Sequence, residues 1–130
     1  MEKLKVGIIG TGVGIRTHLS GFRLYDDIAE VIAICGSSLE RSHEFAQKHN
    51  IPIACADYKE LCDLAEVDLV CVTTPNRLHL AATKYAISKN KHVICEKPLS
   101  DNSDEVTELI DTVQNYSCIA VVDHQLRFNP

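Results

Sequence analysis

This sequence predicts an α/β fold, three layers deep, with a doubly wound parallel sheet. Three observations predict it. Short apolar runs rich in β-branched residues alternate with segments of helical period along the whole chain. A glycine cluster, Gly10, Gly12 and Gly14, stands between the first apolar run and the first helical segment. The 130 residues are 45% apolar and 24% charged, enough for one domain with its own core, which is read as 1–130.

Each element has a local reason. Residues 4–15 open with an apolar run holding one lysine, the right length for a buried strand, and end in the glycines. A helix-compatible segment, 16–25, follows. The second strand is 30–35, and Gly36-Ser37-Ser38 is its turn. Leu39, Ser42, Phe45 and Ala46 recur at helical spacing over 39–50, and Asn50 is suited to end that helix. A short strand, 51–55, carries Pro52, which belongs at a sheet edge. Asp57 caps a short helix over 58–65. The most apolar strand is 67–73. Residues 74–77 turn into a helix near 78–88, and 91–95 is the fifth strand with 96–99 as its exit. Ser100, Asp101 or Ser103 can cap a helix over 104–115. The last strand is 117–123, and 124–130 trails out of it.

Six strands alternating with helices imply right-handed crossovers and two βαβαβ halves, with strand order 3-2-1-4-5-6, a Rossmann-type sheet. A ligand then belongs at the carboxyl ends of the strands. Those ends are the loops at Gly10, Gly36, Thr73 and Glu96, and the Asp123-His124 step.

The glycines give that ligand a chemistry. Gly10 permits a sharp turn, and Gly12 has no Cβ to hold a pyrophosphate away. The following helix start offers free N–H groups and a partial positive charge. Gly10, Thr11, Gly12, Val13, Gly14 and Ile15 are therefore candidate cofactor-binding residues. Ile15 stands where the dinucleotide fingerprint has Gly or Ala, and Gly14 beside it can compensate. The exit of the second strand distinguishes the nucleotides. An acidic residue there would bond the ribose hydroxyls of NAD. Here Ser37 and Ser38 follow Gly36, with Arg41 one turn later, so two hydroxyls and a guanidinium are available for a 2′-phosphate. NADP is expected over NAD. The other reading of the same residues is an ordinary turn, with Ser38 as a helix cap and Arg41 in solvent.

Composition excludes other classes. The net charge of −5, with no basic stripe, argues against a nucleic-acid partner. No apolar run approaches about 20 residues, and no signal-peptide pattern precedes the first strand. The six cysteines, Cys35, Cys55, Cys62, Cys71, Cys95 and Cys118, form no C-x-x-C pair and no recognisable zinc spacing. No metal is expected. The cysteines read as buried reduced thiols, which fits a reducing cytoplasm.

Three further loops carry a resemblance. Thr73-Thr74-Pro75-Asn76 with His79, the run ending Cys95-Glu96-Lys97-Pro98, and Asp123 to Pro130 accompany the opening Gly-Ile-Ile-Gly-Thr-Gly. Together they resemble the Gfo/Idh/MocA family of oxidoreductases over residues 4–130. The resemblance implies hydride transfer between a nicotinamide cofactor and a hydroxyl-bearing substrate such as a sugar or inositol. It implies that Lys97 acts in proton transfer, that Glu96 orients it or meets the nicotinamide ribose, and that Pro98 follows a cis bond. It implies that Thr73, Thr74, Pro75, Asn76 and His79 line the cofactor. His124 leaves the last strand at the same edge and is a further candidate. Family members carry a second α/β domain that supplies most of the substrate pocket and the subunit interface. That domain is not in this chain, so the chain alone is expected to bind nucleotide without turnover, and oligomers are expected only with that domain. His18 and His92 read as ordinary helix and strand-start histidines. Two rivals remain at this stage. One is a non-catalytic nucleotide sensor. The other is an S-adenosylmethionine methyltransferase, which would have no use for Glu96-Lys97-Pro98.

Overall fold

The structure is a computed structural model, and it describes residues 2–129. Pro130, the last residue of the final motif, lies outside the described residues. The elements run β1 (Leu4–Ile9), α1 (Ile15–Leu24), β2 (Ala29–Cys35), α2 (Leu39–His49), β3 (Ile53–Cys55), α3 (Tyr58–Asp63), β4 (Leu69–Val72), α4 (His79–Ser88), β5 (His92–Glu96), α5 (Ser103–Val113) and β6 (Ala120–Asp123). The six strands form one sheet in the order β3-β2-β1-β4-β5-β6, every pairing parallel. That is the predicted Rossmann arrangement.

Local chemistry explains most boundaries. Ser38 Oγ accepts from Arg41 N and caps α2, while Asn50 ends it in the left-handed region at φ 54°. Asp57 Oδ1 accepts from the Lys59 and Glu60 amides and caps α3. Some ends differ from expectation. α5 is capped by Asn102, whose side chain accepts from Asp104 N, rather than by Ser100, Asp101 or Ser103. A 3-10 turn over Asn76–Leu78 follows Pro75 and delays α4 to His79. The last strand pairs only from Ala120, three residues later than its apolar content suggests.

The core lies on both sides of the sheet. One cluster packs α3, α4 and α5 onto Ile9, Val70, Val72, Val93 and Cys95. Here α3 comes very close, because Gly7 has no side chain: a Cβ built on it would lie 2.6 Å from Leu61 Cδ2. The other cluster packs α1 and α2 onto Val6, Ile8, Ile34, Leu69 and Cys71. On that side α1 reaches β6 through His18, which lies 3.6 Å from Asp123. No helix among the described residues is long and apolar enough to cross a membrane.

Candidate functional site

A cleft of about 610 Å³ runs along the carboxyl edge of the sheet, over the ends of β1, β2, β3 and β4. Its floor is built from backbone. Gly10 N donates to Cys35 O at 2.7 Å, and Thr73 N and Oγ1 both donate to Ile9 O, at 2.8 and 3.0 Å. Gly10 sits at φ +115°, and a Cβ there would lie 2.6 Å from Thr73 Oγ1 and 2.7 Å from Thr73 O, so only glycine fits. A Cβ on Gly12 would meet nothing within 4 Å, which leaves that backbone open to a ligand. α1 starts at the rim. Gly14 is its N-cap, no side chain caps it, and no acidic residue stands in its first turn. Arg16 N turns back to Val13 O at 3.3 Å, and the uncapped helix start still suits an anion, helped by the helix dipole.

The structure brings most of the candidate residues to this cleft. Gly10, Thr11, Gly12, Val13 and Gly14 form one wall, Ser37 and Arg41 one end, and Thr73, Thr74 and Pro75 the opposite wall. Thr74 Oγ1 is buried and finds no partner among the described residues, leaving a polar group that a ligand could satisfy. The loops at Gly10 and Gly36 touch: a Cβ on Gly36 would lie 3.1 Å from Thr11 Cγ2, 3.2 Å from its Oγ1 and 3.3 Å from Arg41 Cβ.

Other candidates take different places. The Ile15 side chain is fully buried in the core, so only its backbone faces the phosphate end. Ser38 spends its hydroxyl on the α2 cap. Asn76 is exposed and accepts from His79 N through its carbonyl. His79 turns inward and is 1% exposed. Its Nδ1 and Nε2 lie 2.7 Å from Pro98 O and Thr74 O, so the ring ties two loops together instead of lining the cleft. Glu96, Lys97 and His124 stand at the far end of the same edge, past β4, and do not line the cleft. Lys97 and His124 are exposed. The Lys97–Pro98 bond is cis.

Sequence reasoning missed several participants. Arg77 and Tyr58 line the cleft, each just past a strand exit whose side-chain direction the sequence does not reveal. Asp57 also reaches it, with its carboxylate engaged by the α3 cap. His18, read as an ordinary helix histidine, pairs with Glu96 at 2.7 Å and lies 3.6 Å from Asp123. His92 accepts from Ile119 N at the sheet edge.

Residues 4–124 match the GFO_IDH_MocA model, an oxidoreductase family with an NAD-binding Rossmann fold. The chain belongs to this family. Among Gfo/Idh/MocA relatives, a trans-1,2-dihydrobenzene-1,2-diol dehydrogenase of Xenopus tropicalis is 34% identical over 101 residues, covering 78% of this chain and 31% of that protein. Two solved Gfo/Idh/MocA-like structures superpose closely. Levoglucosan dehydrogenase in complex with NADH and levoglucosan gives a TM-score of 0.87 at 25% identity, covering 93% of this chain and 34% of that one. Biliverdin reductase from Synechocystis sp. PCC 6803, in complex with biliverdin and NADP+, gives 0.84 at 27% identity, covering 93% and 38%. The chain thus spans about a third of the length of the relatives it matches. Residues 4–124 form the NAD-binding Rossmann domain of the Gfo/Idh/MocA family, and the methyltransferase reading falls away.

Proposed function

We propose that this chain seats a nicotinamide dinucleotide, NADP in preference to NAD, for a dehydrogenase acting on a hydroxyl-bearing substrate of the sugar, inositol or diol type. The observation that carries the reading is the cleft's chemistry. An uncapped helix start and the open Gly12 backbone suit a pyrophosphate. Arg41 and Arg77 both line the cleft, and the turn after β2, Gly36-Ser37-Ser38, holds no carboxylate. Two relatives differ in nucleotide, one bound to NADH and one to NADP+, so the preference rests on these residues and not on the fold.

Bound there, the dinucleotide supplies the hydride acceptor or donor. The chain's own residues do the rest. Gly10, Thr11, Gly12, Val13, Gly14 and the Ile15 backbone hold the phosphates. Ser37 and Arg41 receive the 2′-phosphate, and Thr73, Thr74 and Pro75 close the opposite wall. Lys97 is the acid–base group that takes or returns the hydroxyl proton, with Glu96 beside it. It is exposed and forms no ion pair among the described residues, so its amine is free for a substrate. Lys97 is exposed among the described residues, and a substrate not held against it cannot be oriented for transfer. The chain alone therefore binds without turnover, and a second domain supplies the substrate pocket and any subunit interface. Five buried free thiols fit a cytoplasmic setting.

Calorimetric titration of the 130-residue chain with NADP+ and NAD+ in parallel tests the reading. NADP+ should bind about tenfold tighter, the scale of one charged hydrogen bond, and Arg41→Ala should erase the difference. Equal affinities, or an NAD+ preference that Arg41→Ala leaves alone, would overturn it.

A further inference from the structure

The ends of β5 and β6 set two carboxylates side by side. Glu96 and Asp123 are register partners, and strand alternation puts both on the face that carries α1. Neighbouring strands lie about 4.8 Å apart, so two such charges repel unless a donor stands between them. His18 stands there. From the first turns of α1 it brings Nε2 to 2.7 Å from Glu96 Oε1 and 3.6 Å from Asp123 Oδ2. All three side chains are largely buried, at 10%, 16% and 20% exposure. A carboxylate only accepts, so Nε2 carries the proton of the shorter contact. These are the one set of ligand-type side chains that converge among the described residues. The contact from ring nitrogen to carboxylate oxygen is at hydrogen-bond length, so the groups hold each other instead of spreading around a cation.

Each end of this network is attached to something the chemistry needs. α1 starts at the phosphate end of the cleft, and His18 lies one turn beyond Ile15. Glu96 is peptide-bonded to Lys97. On the other side of Lys97, Pro98 O meets His79 Nδ1 from α4. The lysine loop is thus gripped from both faces of the sheet, and Lys97 between the grips is exposed.

We propose that His18 is a positioning residue. Through Glu96 it aims Lys97 from the same helix that seats the dinucleotide, so the nucleotide and the acid–base group share one frame. The proposal rests on the reading of Lys97 given above.

Trace labelling of the chain with acetic anhydride, with Lys97 compared with exposed Lys3 and Lys59 by peptide mass spectrometry, reads the lysine directly. Saturating NADP+ should protect Lys97 in the unmodified chain. His18→Ala should remove more than half of that protection while NADP+ affinity stays within about twofold, as for a substitution away from the phosphates. His18→Gln, whose amide can donate to Glu96, should restore it. Glu96→Ala breaks the same bond from its other end and should lose the Lys97 protection at saturating NADP+ as His18→Ala does, which keeps the test alive if His18→Ala fails to fold. Protection untouched in both alanine variants, or no rescue by glutamine, overturns the proposal. If NADP+ binds but never protects Lys97, this inference fails alone. If NADP+ does not bind at all, the nucleotide reading fails with it.

Discussion

Val93 and Ile94 are neighbours on β5 with different surroundings. Val93 is 1% exposed beneath α4 and α5. Ile94 faces the side of α1 and α2, where its register partner Val121 is 50% exposed and Ile119, two residues earlier, is 66% exposed. Three of the four residues of β6 are apolar, as are all four of β4, yet β4 is buried throughout while no residue of β6 is fully buried. Burial on a parallel sheet is therefore decided by which helices cross over it, not by strand composition alone. The three-helix face is a closed floor under the nucleotide loops. The two-helix face reaches β6 through His18, and the Glu96–Asp123 end of the site relies on that residue.

The largest effect that separates the faces should come from Leu61→Ala. Leu61 is fully buried against Gly7 on the closed face, so truncation should cost about 2–5 kcal/mol, read as a lower urea midpoint at unchanged slope. A loss under about 1 kcal/mol would mean the floor is looser than described.

Thiols are buried on both faces. Burial pushes Cys35 and Cys62 up to about 12, and Cys55 and Cys95 up to about 11, on the closed face, and raises Cys71 on the other face as well. Their folded values exceed the ordinary 9.0, so the stability they confer is complete below pH 9.0 and is lost as pH rises toward the folded values. Urea midpoints should fall steeply above pH 9. Cys62→Ala should flatten that fall by about 1.4 kcal/mol per pH unit, one proton's worth. A fall no flatter than in the unmodified chain would exclude Cys62 as a buried thiol.

The smallest effect belongs to the open face. Val121→Thr keeps the shape of a half-exposed side chain and should change stability by less than about 0.5 kcal/mol. A larger loss that grows with protein concentration would show this face covered by a second copy in solution.

Much of this was legible in the sequence because its causes are local. Apolar runs located the six strands, helical period located α2, and Asp57, Ser38 and Asn50 marked their own caps, while the 3-10 turn at Gln125–Phe128 was read as a trailing end. The glycine loop announced itself because a turn at φ +115° admits little else. What stayed hidden depends on contacts between distant residues. His18 meets Glu96 across 78 positions, and no local pattern encodes that distance. His79 lies in a motif that points to the cofactor, yet its ring is drawn inward by two carbonyls, one 19 residues away. Arg77 looked like a turn residue, and the 3-10 geometry after Pro75 is what lays it along the cleft.

The contact between the Gly36 turn and Thr11 has a consequence for how such a domain can change over time. Under the proposed NADP preference, an acidic residue at position 36 is the simplest substitution toward NAD, but its Cβ would press on Thr11, in the loop proposed to hold the phosphates. Made first, Gly36→Asp weakens the grip common to both nucleotides before its carboxylate can favour either. Made after Thr11 has become smaller, the same change keeps only the 3.3 Å approach to Arg41 Cβ. The two positions are epistatic, and the order of the steps decides whether a lineage can cross from one cofactor to the other without passing through a form that holds neither well.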